Sequence, residues 1–263
     1  MASYGSYLVI RSPGGANAGT GQTIPLALQN VFDWSFLPGT LVDLCPIVYL
    51  TSASGPVTLR CYFGIAEDTT TVPVAASWTI PATPLGLVKL APVQVAKPSG
   101  VNRIWWTVQC PAGSAVLNDI TVYAGFPTTA ASVWYPFQNG NAGFNFGLGE
   151  SLSGGIAHRF VLDFSRFPSD AQLSVCVAGL LKGSAGVFRV RVGGTFSDVT
   201  GTAILTHTEP MAEMFGWGHP TSKSATFANQ WSGPQIVKLT AQNTGGGGSG
   251  SFLGGPTVVF KAV

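Results

Sequence analysis

Apolar and polar residues alternate along most of this chain in short runs. In VTLRCYFGIA, at 57–66, residues Val57, Leu59, Cys61, Phe63 and Ile65 fall on one side. In VFRVRVGGTF, Phe188, Val190 and Val192 share one face while Val187, Arg189 and Arg191 share the other. NRIWWTVQC, DITVYAGF and the closing GPTVVFKAV continue the pattern. A period of two marks strands with one buried face. Turn-forming clusters such as SASGP, KPSG and PAGS stand between the runs. Short strands at regular spacing with Gly/Pro turns predict an all-β sandwich or barrel. Only EPMAEMFGWG would support a helical turn, and a brief one.

The pattern is written twice. FDWSFLP at 32–38 and LDFSRFP at 162–168 share Asp, an aromatic, Ser, any residue, Leu or Phe, and Pro at identical spacing. DLCPIVYL, a Gly-containing turn and VTLRCYFG follow the first copy. AQLSVCVAGLL, a Gly-containing turn and VFRVRVGG follow the second. Further on, RIWWTVQCPAGSAVLNDITVYAGF faces QIVKLTAQNTGGGGSGSFLGGPTVVFKAV, so TGGGGSGS reads as an expanded loop between two strands. ANAGTG precedes the first phrase and GNAGFN the second. The expected architecture is two tandem, duplicated antiparallel β-sandwich or jelly-roll-like domains, with the repeated unit at 12–126 and 139–263. The domains are expected at 1–127, with an N-terminal strand, and at 156–263. An aromatic and Gly-rich connector is expected at 128–155.

Within the phrase, Asp and Ser two apart can bond nearby backbone groups and fix a corner. Asp33, Ser35 and Pro38, and in the second copy Asp163, Ser165 and Pro168, are therefore read as structural corner residues. The Pro would close each strand end.

Two aromatic features bear on contacts. Trp105 and Trp106 are adjacent in a strand and must point to opposite faces. At most one fills the core of its own sheet, and the other meets a second layer, a neighbour or a ligand. The expected connector carries Trp134, Tyr135, Phe137, Phe144 and Phe146 among small residues, whereas a plain flexible linker lacks aromatics. That stretch and the loop with Met211, Phe215 and Trp217 are the candidate interface residues.

Composition narrows the function. Charged residues are 9% of the 263 positions, against roughly 25% in typical soluble domains. The net charge of +2, with no Lys/Arg run, argues against a nucleic-acid partner. No run reaches the roughly 18 apolar residues of a membrane helix. The start, MASYGSYLVIRSP, has no basic segment ahead of a long apolar run, so no signal peptide is expected. Cys45, Cys61, Cys110 and Cys176 are divided unevenly between the copies and read as reduced core thiols of a protein made in the cytoplasm.

Catalytic motifs do not emerge. There is no Gly-x-Ser-x-Gly elbow, His-Glu-x-x-His or Cys-x-x-Cys spacing, and no carboxylate pair stands out. His207, Glu209, Glu213 and His219 lie near one another in sequence without a ligand spacing that declares a metal. The chain is read as a non-enzyme with no catalytic residue, metal or cofactor.

An uncharged, Gly/Pro-rich β chain with a doubled corner phrase resembles structural proteins of tailed-bacteriophage particles: capsid decoration proteins, head fibres or tail components. That resemblance implies a virion protein made in the host cytoplasm. It would join copies of itself and other virion proteins through sandwich surfaces, with no membrane partner. The alternative is a carbohydrate-binding adhesin module that stacks a host-surface glycan on Trp105–Trp106, Trp134–Tyr135, Trp217 or Trp231. A double jelly-roll major capsid protein ranks third.

Overall fold

A computed structural model describes residues 7–19, 23–36, 39–64, 72–125, 132–136, 144–146, 150–152, 159–167, 171–183, 186–209, 219–244 and 250–262. The chain divides into two compact units, Met1–Thr128 and Thr129–Val263.

The first unit contains β1 (Tyr7–Ala18), β2 (Thr23–Asp33), β3 (Leu41–Ala53), β4 (Val57–Gly64), β5 (Val74–Ile80), β6 (Gly86–Lys89), β7 (Val93–Ala96), β8 (Val101–Gln109) and β9 (Ala115–Gly125). One sheet runs β1-β9-β3-β6, with β7 also on β3, and the other runs β2-β8-β4-β5. The second unit contains β10 (Ser132–Pro136), β11 (Phe144–Phe146), β12 (Ser151–Leu152), β13 (Arg159–Asp163), β14 (Gln172–Gly183), β15 (Gly186–Val192), β16 (Thr202–Glu209), β17 (His219–Ala228), β18 (Pro234–Asn243) and β19 (Gly250–Ala262). Its sheets run β10-β19-β14-β17, with β11 on β19, and β12-β18-β15-β16, with β13 on β18.

Among the described residues β6 and β7 share the partner β3, β10 and β11 share β19, and β12 and β13 share β18. With each such pair taken as one strand, both units show the same strand order, 1-8-3-6 in one sheet and 2-7-4-5 in the other, with antiparallel pairing. This is the two-sheet, double Greek-key order of a jelly roll. The all-β, tandem jelly-roll expectation is what the chain adopts.

In the first unit one core joins both sheets. Leu44, Val48 and Leu50 of β3 and Ile120 and Val122 of β9 cluster with Leu59 and Cys61 of β4, Trp78 of β5 and Ile104, Trp106 and Val108 of β8. In the second unit β15 is buried at every second residue, with Phe188, Val190 and Val192 inward, as the sequence alternation requires. Phe260 of β19, in one sheet, meets Phe164, which follows β13 of the other, at 6.0 Å and edge to face.

The repeated phrase forms the same device in each unit. β2 ends at Asp33 and runs into a 3-10 turn, Trp34–Phe36; β13 ends at Asp163 and runs into Phe164–Arg166. Trp34 and Phe164 are both fully buried. Trp34 donates its backbone N–H to Gly100 O at 2.9 Å, and Phe164 donates to Gly233 O at 3.1 Å, each glycine lying just before the seventh strand of its unit. The aromatic thus plugs the end of the sandwich while the turn carries the chain across it. In the second copy the Asp163 carboxylate accepts from Ser165 N (3.2 Å) and Ser165 Oγ (2.6 Å), capping the turn. Ser35 is exposed in its turn. Pro38 and Pro168 lie outside the described residues.

Candidate functional site

Two places in the described structure break the pattern of a plain sandwich. The first is on the outer face of the second unit's β12-β18-β15-β16 sheet. Cross-strand register sets Arg191 opposite Lys238 and Arg189 opposite Thr240, and places Arg159 of β13 on the other side of Lys238. Outward residues of a strand normally meet water. Here Lys238 and Thr240 are fully buried, Lys238 bonded by a loop and Thr240 by the residue that leads into the neighbouring strand of the same sheet.

The strand side is held by Glu150, next to β12. Its carboxylate accepts from Arg191 Nε (2.7 Å) and Nη2 (2.9 Å) in a bidentate pair, lies 3.2 Å from Arg189 Nη1, and accepts from Thr240 Oγ1. Burial pushes the Glu150 carboxyl up. The hydrogen bonds from Arg191 and Thr240 and the charges of both arginines outweigh this and hold it below the usual carboxylate range.

The loop side is residues 193–200, between β15 and β16. Lys238 Nζ donates to Thr195 O (2.9 Å), Asp198 O (3.1 Å) and Asp198 Oδ1 (2.7 Å). The other Asp198 oxygen accepts from Thr195 N (3.1 Å) and Thr195 Oγ1 (2.9 Å), and Oδ1 also accepts from Thr200 N (3.1 Å). Arg159 donates to Phe196 O. Burial raises the Asp198 pKa, but the bonds from Lys238, Thr200 and Thr195 reverse that and leave it far below the usual range. Burial likewise pulls the Lys238 ammonium below its ordinary range, against support from Asp198.

The same position in the first unit is filled differently. Its cross-strand pair is Tyr62 and Trp105, stacked at 4.1 Å with rings 9° apart, beside Thr107, whose Oγ1 donates to Tyr62 Oη at 3.4 Å. Arg60, the counterpart of Arg189, bonds Gln109 Oε1 at 3.0 Å. Trp106 lies in the sandwich core and Trp105 on the opposite face, as their adjacency requires. Both are buried, so neither offers a ring to a sugar. Trp231, a third sugar candidate, is half-buried against Phe164 and Phe227 at 4.8 and 6.1 Å.

The second place is a mostly apolar groove of about 440 Å³ in the first unit, lined by Phe63, Pro73, Val74, Ala75, Gln94, Val95 and Ala96. It lies where the outermost strand of one sheet, β5, passes the edge strand β7 of the other. Val74 is 47% exposed, and Leu41, the cross-strand partner of Ala96, is 47% exposed as well. The strand β5, VAASWTI, carries no charge.

Of the candidate interface residues, Trp134 and Tyr135 lie in β10 opposite Val259 and Val258, and Phe144 and Phe146 lie in β11 opposite Phe252 and Gly250. Their side chains lie outside the described residues, as do Phe137, Met211, Phe215 and Trp217 altogether. Among the described residues no three His, Cys, Asp or Glu side chains converge as metal ligands, and no helix is long and apolar enough to cross a membrane. The four cysteines are free thiols; Cys45, Cys61 and Cys110 are buried, and burial pushes the Cys61 thiol well up.

No protein-family model and no curated protein sequence matches the chain. Solved structures show distant likeness. A tandem CBM22-1–CBM22-2 domain of Xyn10C from Paenibacillus barcinonensis is 11% identical over 100% of this chain and 99% of that one, with a TM-score of 0.29. The VP2 subviral particle of infectious bursal disease virus is 12% identical over 99% and 73%, with a TM-score of 0.31. The PBSX exported protein XepA is 11% identical over 98% and 86%, with a TM-score of 0.25. At such scores these likenesses carry no functional argument.

Proposed function

We propose that this chain is a structural protein of a virus particle, joined to copies of itself and to neighbouring particle proteins through its sandwich surfaces, and that it performs no catalysis. The observation that carries this reading is the uncharged groove beside β5 in the first jelly roll. A sheet edge without charge, next to exposed Val74 and Leu41, is a surface that monomeric proteins normally blunt with Lys or Pro inside the strand. Jelly rolls build both viral shells and lectin domains. Between those two, the burial of Trp105 and Trp106 removes two of the sugar platforms that a glycan-binding module would use. In a closed particle each weak contact is repeated, so avidity replaces single-site affinity. A place in the shell, on it, or in a fibre or tail is equally consistent with this surface, and the oligomer formed separates those positions.

The test is the mass of the purified chain by light scattering across a wide concentration range. A discrete oligomer is expected, and Val74→Lys is expected to shift it toward the monomer with an unchanged far-ultraviolet spectrum. A wild-type chain that stays monomeric throughout would overturn the reading.

A further inference from the structure

The loop over Lys238 is built like a cation site. Three oxygens, from Thr195 O, Asp198 O and Asp198 Oδ1, converge on one point at 2.7–3.1 Å, and that point is the Lys238 ammonium. The ammonium has three protons and three acceptors, so nothing is left over. Those distances suit an ammonium; they are longer than the 2.3–2.6 Å of calcium–oxygen contacts. The neighbouring cations Arg159 and Arg191 further disfavour a second positive charge.

The backbone is shaped to the guest. Gly194 has φ +73°, and a Cβ there would lie 2.5 Å from Thr200 Oγ1, 2.7 Å from Asp198 Oδ1 and 2.8 Å from Lys238 Nζ. The chain also contains its own control. Trp105 holds the matching strand position in the first unit and packs there on the Tyr62 ring. An apolar residue therefore suffices to fill that place in this fold, whereas burying an ammonium carries a desolvation penalty that only good partners offset.

We propose that residues 194–200 form a binding site for a single monovalent primary ammonium, and that Lys238 is its resident, tethered guest, which locks the loop without any free ion. This stands apart from the assembly reading and does not rest on it. Removing the side chain beyond Cβ takes away three carbons and the ammonium, the size of n-propylammonium, and the three loop oxygens are expected to keep their places.

Lys238→Ala is expected to lower the thermal midpoint by several degrees. n-Propylammonium is expected to restore a large part of that loss in a saturable manner. Tetramethylammonium at equal ionic strength, which cannot donate a hydrogen bond, is expected to restore none. Lys238→Met, whose uncharged stem occupies that space, is expected to be destabilised and unmoved by either salt. Equal response of Lys238→Ala to both salts, response to neither, or wild-type stability of that variant would overturn the site. If Lys238→Ala does not fold with or without propylammonium, the nitrogen spectrum of the wild type decides. A slowly exchanging, resolved Lys238 ammonium signal upholds the cage, and a signal averaged with the exposed lysines overturns it.

Discussion

At the scale of single residues, the second unit is distinguished by carboxylates that each serve several partners. Glu150 accepts hydrogen bonds from Arg191 and Thr240 while pairing in charge with Arg189, and it ties the start of β12 to β15 and β18. Glu150→Gln keeps a hydrogen-bonding group but removes the charge, and is expected to cost roughly 1.5–3 kcal/mol at neutral pH, the range for hydrogen bonds to charged groups. The pH dependence follows from the direction of its shift. Its folded pKa lies below that of the unfolded chain, about 4.3 for a free Glu. Its contribution is therefore fully present above that unfolded value and disappears as pH falls through the folded one. Urea unfolding of wild type and Glu150→Gln is expected to show a gap at pH 7 that closes in acid. A gap unchanged in acid would mean that the charge of Glu150 does not carry the stabilisation.

Little of this network was legible in the sequence, and the reason is physical. In QIVKLTAQ, Lys238 alternates with Val237 and Leu239 and so reads as an outward residue, which it is. What the period cannot show is that the outward face is roofed. The roof comes from a Gly-Gly loop and from Glu150, both distant in sequence, which only the strand order brings over β18. Parity, by contrast, was readable wherever it is local: Trp105 and Trp106 part to opposite faces, and Arg189 and Arg191 lie opposite Phe188 and Val190.

At the scale of elements, the repeated corner was the strongest signal, because its parts lie within a few residues. An aromatic flanked by Asp and Ser gives a strand end, a 3-10 turn and a buried plug in both units. β10, β11 and β12 were not legible, since strands of two to five residues are too short to display a period. The corner also yields a prediction. Asp163 is buried and its carboxylate caps Ser165, so Asp163→Ala removes a cap and leaves Ser165 N–H without that acceptor. The expected loss is about 1–2 kcal/mol, the upper part of the range for N-cap removal. Asp163→Asn, which retains an acceptor oxygen, is expected to recover at least half of it in the same denaturant titration. Equal losses for the two variants would place the effect in the buried charge and not in the cap.

At the scale of the whole molecule, the scarcity of charge decides what kind of association this chain can make. With 13 basic and 11 acidic residues and a net charge of +2, long-range attraction between copies is weak in either sign. Several of those charges are also engaged internally within the second unit, where Arg189 and Arg191 pair with Glu150 and Lys238 pairs with Asp198. An assembly through the groove beside β5 would therefore draw on apolar burial, which salt does not screen. Raising the ionic strength from about 0.1 to about 1 M shortens the Debye length from roughly 10 to roughly 3 Å. Charge-driven contacts weaken strongly over that range, while apolar ones hold or tighten. The self-association constant is thus expected to stay level or rise with sodium chloride, and calorimetry of dilution is expected to give a negative heat-capacity change on association. A constant that falls tenfold over the same salt range would assign the contact to the few exposed charges instead, and would move the assembly surface away from Val74 and Leu41.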